Sequence, residues 1–197
     1  FNIDTNRNET FHQITKFIFI GNLTKRKGVI NLLKVAKELS HSNKFELSIV
    51  GDGIEKPRLK QYISNNQINN VYFIGIQPID KISSILQEHD ILILPSIYDG
   101  WGAVVNEALT QGKYVICSNK CGAKELLHSP TNGKTFKSKK YKELRTKMQY
   151  CIDNITTLRE QEIQRKEWAT KCIDGKIIAR YMIDCLHGKQ TKAPWIE

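Results

Sequence analysis

The sequence predicts a doubly wound α/β domain on a six-stranded, mostly parallel sheet, and three observations carry that prediction. From Lys16 onward short apolar runs alternate with amphipathic segments, the pattern of strands wound with helices. One run, Ile91–Leu94, is apolar at all four positions; it is too short for a helix and suits a strand buried on both faces. Glycine-bounded loops separate such runs from the helical periodicities after them, no boundary falls inside the series, and right-handed crossovers would make it one doubly wound domain.

Taken in order, residues 1–14 are polar and aperiodic and read as a linker or N-terminal extension, residues 15–188 as the domain, and residues 189–197 as a tail. The first strand is expected at Phe17–Ile20. The basic loop Gly21–Gly28, GNLTKRKG, then leads into a helix whose Val29, Leu32, Leu33, Ala36 and Leu39 form a buried stripe. A second strand at Glu46–Val50 ends in the turn Gly51-Asp52-Gly53, and Pro57 fits the first turn of the next helix. The third strand, Val71–Ile74, is followed by the loop Gly75-Ile76-Gln77-Pro78. Asp80 is then the expected N-cap of a helix burying Ile82, Ile85 and Leu86. Pro95-Ser96 ends the fourth strand, Ile91–Leu94. Gly100 and Gly102 bracket Trp101, and helical periodicity starts near Ala103 with Val104, Ala108 and Leu109 on one stripe. Tyr114–Cys117 is the fifth strand, Cys121-Gly122-Ala123 opens a short segment ending near Leu127, and a short sixth strand at Lys134–Phe136 follows the turn Asn132-Gly133. The remainder is helical. Tyr141, Leu144, Met148 and Cys151 share one face, and Ile177, Ile178, Tyr181, Met182, Cys185 and Leu186 make a broad stripe that reads as packing, partly exposed, rather than as cofactor contacts.

Composition removes several function classes. At 197 residues with ordinary apolar and charged fractions, the chain can bury a core and is no disordered tail. No apolar run approaches the ~20 residues of a membrane span. The chain opens on Phe1 with no basic, apolar leader, so it reads as a piece of a longer, cytoplasmic protein. Five cysteines, Cys117, Cys121, Cys151, Cys172 and Cys185, form an odd set without metal-ligand spacing, so reduced thiols are expected and no metal. The formal charge of +10 is the outlier, with basic clusters at Lys25–Lys27, Lys137–Lys147 and Arg159–Arg180. No stacked-aromatic or zinc-finger module accompanies it, so no nucleic-acid partner is expected. An anionic donor, an anionic membrane surface, or a merely basic surface accounts for the charge.

The chemistry concentrates between Ile91 and Gly112. A Gly-rich loop entering a helix offers free backbone N–H groups where phosphate is favoured. Asp99 and Glu107 flank it, and carboxylates there are suited to hydroxyl groups of a sugar rather than to phosphate. Asp99-Gly100-Trp101-Gly102, Glu107-Ala108-Leu109 and Gly112 before a strand together resemble the signature of family 4 retaining glycosyltransferases of the GT-B fold. The resemblance spans Phe17 to Leu186 and departs from the pattern at Asp99, where that family carries Glu, and at Asn22, where it carries Arg.

It implies the second, Rossmann-like domain of a two-domain enzyme, with a separate N-terminal domain for the acceptor, and a nucleoside-diphosphate sugar as donor with no other cofactor. The candidate catalytic residues are then Lys27, Asp99 and Glu107: Lys27 for diphosphate, Asp99 for sugar hydroxyls, Glu107 for ribose. Gly21, Asn22 and Arg26 would line the diphosphate, with Arg26 reaching it from the loop or the site being weakened. Gly75, Ile76 and Gln77 would hold the nucleobase, and Gly100, Trp101, Gly102, Ala103 and Val104 the phosphate and sugar. Trp101 either walls the sugar pocket or anchors its loop.

Overall fold

The computed structural model describes residues 14–42, 44–189 and 192–196. Six parallel strands, β1 (Thr15–Ile20), β2 (Phe45–Val50), β3 (Val71–Gly75), β4 (Ile91–Leu94), β5 (Tyr114–Ser118) and β6 (Gly133–Phe136), form one sheet in the order β3-β2-β1-β4-β5-β6. The described helices are α1 (Val29–Leu39), α2 (Lys56–Asn65), α3 (Ile79–Gln87), α4 (Val104–Thr110), α5 (Tyr141–Asp153), α6 (Ile155–Glu160), α7 (Glu162–Cys172) and α8 (Gly175–Leu186). Strand order reverses between β1 and β4, and a crevice opens at the carboxyl ends of strands at such a reversal.

Every expected strand is present, most of them longer by one or two residues. β4 and β5 are buried at each position because helices cover both faces of the sheet. α1 buries Val29, Leu32, Leu33, Ala36 and Leu39 as its periodicity requires, and Val35 as well. Each such aliphatic side chain contributes about 1.5–3 kcal/mol of burial.

Three expectations are corrected. Pro78, not Asp80, occupies the cap position of α3; its fixed φ suits the entry, and Asp80 lies inside the first turn, where its charge complements the helix dipole. In α4 the fully buried stripe is Val105, Ala108 and Leu109, with Val104 only half-buried, because the helix begins at Val104 and turns the following residue to the core. The cluster Arg159–Arg180 is not all surface: Arg165 is 2% exposed, and Arg159 pairs with Asp90 at 2.7 Å.

Residues 1–13 of the expected linker lie outside the described residues. Residues 192–196 of the expected tail pack back onto the domain, with Trp195 against the core. α8 has no fully buried residue; Met182, Ile183 and Leu186 are exposed, as the breadth of its stripe implied. No described helix is long and apolar enough to cross a membrane.

Candidate functional site

Two loops meet at the β1/β4 reversal. The first, Gly21–Gly28, leaves β1; the second, 95–103, leaves β4. Ile97 N–H donates to the Arg26 carbonyl at 2.7 Å and ties them together. Gly28, at φ +69°, makes the approach possible, because a Cβ there would collide with the Pro95 carbonyl oxygen. The crossing places Lys27 Nζ 2.6 Å from Asp99 Oδ2, between side chains only 15% and 10% exposed. Ser96 Oγ donates to the same carboxylate oxygen at 3.2 Å, and Arg26 Nη1 lies 3.7 Å from Oδ1 while donating to the Tyr98 carbonyl at 3.0 Å. Two cations therefore share one carboxylate, and the crevice floor carries surplus positive charge.

The loop bearing Asp99 is laced to the chain after β5. Asp99 N–H donates to the Lys120 carbonyl at 2.9 Å and Ala123 N–H to the Trp101 carbonyl at 2.8 Å. Ser118 Oγ donates to the Ser96 carbonyl at 2.6 Å. Gly102, at φ +88°, leaves no room for a side chain; a Cβ would lie 2.7 Å from Cys121 Sγ and 2.8 Å from Leu94. Cys117 and Cys121 hydrogen-bond to each other beneath this loop, which pushes the Cys117 thiol up and the Cys121 thiol down. All five cysteines are free thiols.

Glu107 stands on the first turn of α4, exposed, and its carboxylate has no hydrogen-bond or ion-pair partner among the described residues. Desolvation by the crevice wall nonetheless raises its pKa. The N–H groups of Gly102, Ala103 and Val104 likewise have no partner among the described residues, being the first of the helix.

The structure thus brings together Lys27, Arg26, Asp99 and the loop Gly100–Val104. Asn22 is exposed and its Oδ1 faces Gly53, so it lies against the turn after β2 rather than with Arg26. Gly21 N–H joins the sheet edge through the Val50 carbonyl at 3.0 Å. Gly75, the last residue of β3, and Ile76 and Gln77 just after it lie two strands away from β1. Ile76 is 74% exposed, and Gln77 Nε2 turns back to the Ile74 carbonyl at 3.3 Å. Trp101 is held at its indole N–H by Asn106 Oδ1 at 2.7 Å and packs edge-to-face on Trp195, which favours the loop-anchor reading. Ser96, Ser118 and Trp195 are neighbours of this loop to which sequence reasoning gave no role at the site. Ser96 had a signal, since it stands three residues before Asp99 in a loop; Trp195 had none.

A partly open cavity of about 310 Å³ lies elsewhere, among His128, Ser129, Pro130, Trp168 and Trp195. The crevice itself is an open edge of this chain, and its polar convergence, not its enclosure, marks it as the site.

Fold and site define a doubly wound α/β domain with a crevice at its topological reversal where two basic side chains meet one carboxylate. The chain matches the family model "Glycosyl transferases group 1" over residues 2–168 and belongs to that family, as a family 4-like GT-B C-terminal domain. A glycosyltransferase of Methanocaldococcus jannaschii, MJ1069, described as uncharacterized, is 32% identical over 150 residues, covering 74% of this chain and 38% of that protein. The amylovoran biosynthesis glycosyltransferase AmsK of Erwinia amylovora is 27% identical over 133 residues, covering 64% of this chain and 33% of its own length. Among solved structures, Anabaena Alr3699/HepE in complex with UDP superposes with a TM-score of 0.78 at 21% identity, over 89% of this chain and 49% of that one. The chain spans less than half the length of each of these three proteins.

Proposed function

We propose that this chain is the donor-binding domain of a retaining glycosyltransferase that moves a sugar from a nucleoside-diphosphate sugar to a saccharide or lipid-linked acceptor in glycoconjugate biosynthesis. The observation that carries the reading is the Lys27–Asp99 pair with Arg26 beside it at the β1/β4 reversal. Within the chain these charges satisfy one another. An arriving diphosphate competes for Lys27 and Arg26, and Asp99, released, accepts hydrogen bonds from hydroxyls of the donor sugar. Glu107 holds the ribose, and the amides of Gly102 to Val104 add donors to the phosphates. As the glycosidic bond breaks, charge accumulates on the leaving diphosphate, where fixed cations and N–H groups stabilise it most. That division of labour needs no metal and no other cofactor.

The acceptor comes from a separate domain, since positioning the two reactants supplies a large part of the barrier reduction, about 7 to 11 kcal/mol in well-oriented systems. The chain alone is expected to bind donor without transferring sugar. Its basic surface suits a cytoplasmic protein in peripheral contact with anionic lipid, with no nucleic-acid partner. A second reading, a nucleotide-sugar-binding subunit that does not catalyse, is favoured by Asn22 and Asp99, where the family pattern has Arg and Glu.

UDP is the first probe, because the Anabaena relative was solved with it. Calorimetry with UDP and GDP in a chelator is expected to show binding that weakens as salt rises. Failure of both nucleotides, or strict dependence on a divalent cation, would refute the proposal. Transfer by the chain joined to its acceptor domain would exclude the non-catalytic reading.

A further inference from the structure

The loop that carries Asp99 and Trp101 is gripped from outside by residues near the C-terminal end of the chain. Trp195 packs edge-to-face on Trp101, with ring centroids 6.4 Å apart, and on Tyr181 of α8 at 5.6 Å. The three rings run in sequence from the crevice loop to a helix that has no fully buried residue. Trp195 is therefore the aromatic bridge between the loop and α8.

The bridge is lightly built. Within residues 192–196 the Ile196 N–H closes a turn on the Ala193 carbonyl at 3.0 Å, but no hydrogen bond ties these five residues to the rest of the described chain. Cavities lie against the segment on two sides. One, of about 310 Å³, is lined by Trp195, Ile196, Trp168 and the 128–130 turn; the other, of about 210 Å³, is lined by Lys192, Pro194 and α8. Ring contact supplies much of the attachment, so the segment can leave without breaking polar bonds or unfolding the core. Trp101, by contrast, is committed to the loop through its bond to Asn106 and through the carbonyl that receives Ala123 N–H. What Trp195 adds is a wall for an indole that remains 41% exposed even with Trp195 in place.

Resting on the donor-binding reading above, we propose that Trp195 is a positioning residue: acting through Trp101, it holds the Asp99–Gly102 loop in the conformation that receives the sugar of the nucleotide donor. Asp99 is two residues from Trp101 in the same loop, so a wall that confines the indole limits the conformations open to the short backbone between them. Trp195 does not touch the donor. Its contribution is to narrow the set of loop conformations before the ligand arrives, which raises affinity through preorganisation.

The test uses the 197-residue chain with Trp195→Ala and Trp195→Phe. In hydrogen exchange without ligand, the amides of Asp99 and Ala123, whose bonds to the Lys120 and Trp101 carbonyls hold the loop, are expected to exchange about three- to tenfold faster in W195A, the range one aromatic contact supports, and to return most of the way in W195F. Amides of β2 report whether the fold is intact and should not change. Calorimetry should show UDP-glucose bound about three- to tenfold more weakly by W195A and restored by W195F, with UDP alone less affected. Unchanged exchange in the loop overturns the inference. So does a lower melting temperature with unaltered UDP-glucose affinity, the signature of a merely stabilising contact. If the unaltered chain binds no nucleotide, the donor-binding reading falls by itself, and the exchange result still decides whether Trp195 holds the loop.

Discussion

The two edges of the sheet use the same kinds of side chain to opposite ends. At the amino ends of the strands, Asp90 accepts from Arg159 at 2.7 and 2.8 Å and from Lys16 N–H at 2.8 Å. Lys113, 4% exposed, meets Glu162 at 2.9 Å. Arg165 is buried beside them with no carboxylate bonded to it among the described residues. It donates instead to the carbonyls of Gly112 at 2.6 Å, Thr131 at 3.2 Å and Leu158, and burial lowers its pKa. At the carboxyl ends, Lys27 and Asp99 are also sheltered, but Arg26 is half exposed and the carboxylate of Glu107 has no partner among the described residues. The first edge offsets the cost of desolvating charge with partners inside the fold, and the charges act as permanent braces for α6 and α7. The second leaves donors and acceptors that a ligand can take over. Burial of a charge therefore does not mark a site; the availability of its partners to be exchanged does.

Breaking the brace should have the largest effect. Arg165→Met removes a cation that satisfies three carbonyls, and a loss of about 3 to 5 kcal/mol in urea unfolding is expected. Nucleotide affinity of the folded protein should stay within about twofold, since the two edges share no partner. A large change in UDP binding would show that the edges are not independent.

Lys27→Met comes next. It removes the charge nearest the proposed phosphate position, and UDP affinity should fall by about 3 kcal/mol by calorimetry. Asp99→Asn sharpens the same point with the opposite sign for one ligand. It frees Lys27 from its competing carboxylate, so UDP should bind as well or more tightly while UDP-glucose binds more weakly. Parallel losses for both ligands would show that the pair acts as a brace here as well.

Glu107→Gln should cost about 1.5 to 2 kcal/mol of nucleotide affinity, the loss of hydrogen bonds to a charged acceptor. Because desolvation raises the Glu107 pKa, acidification should weaken binding at higher pH than an ordinary Glu would, and this component should vanish in the Gln variant. The stability effect has the reverse sign. A carboxyl whose folded pKa lies above its unfolded value destabilises the fold at neutral pH, and that cost disappears as pH falls below the folded pKa. Glu107→Gln should therefore unfold at a slightly higher temperature at neutral pH while binding less.

The smallest effect is expected on α8. Replacing Met182, Ile183 and Leu186 by polar residues should each change unfolding free energy by less than about 0.5 kcal/mol, because these side chains are exposed. Light scattering should show reduced self-association, since contiguous exposed apolar surface drives it. A loss of several kcal/mol would mean that α8 braces the fold as α7 does.

What the sequence determined by itself was local. Apolar runs placed all six strands, and the positions of Gly28 and Gly102 marked where loops pass close to other chain. The Asp99-Gly100-Trp101-Gly102 and Glu107-Ala108-Leu109 segments drew attention to the loop and the helix turn that follow β4 at the β1/β4 reversal. These features are legible because strand burial, turn geometry and helix periodicity each depend on residues within a few positions of one another. Three features were decided by tertiary structure alone. Lys27 and Asp99, read from sequence as having separate tasks, are 72 residues apart and become one ion pair only because β1 and β4 are neighbours. Arg165, read as part of a basic surface, is internal because carbonyls from Gly112, Thr131 and Leu158 converge on its guanidinium. Trp195 lay in an expected tail and instead meets Trp101. Each of these depends on which distant backbone segments the sheet order brings side by side, and no local pattern of charge or hydrophobicity encodes that choice.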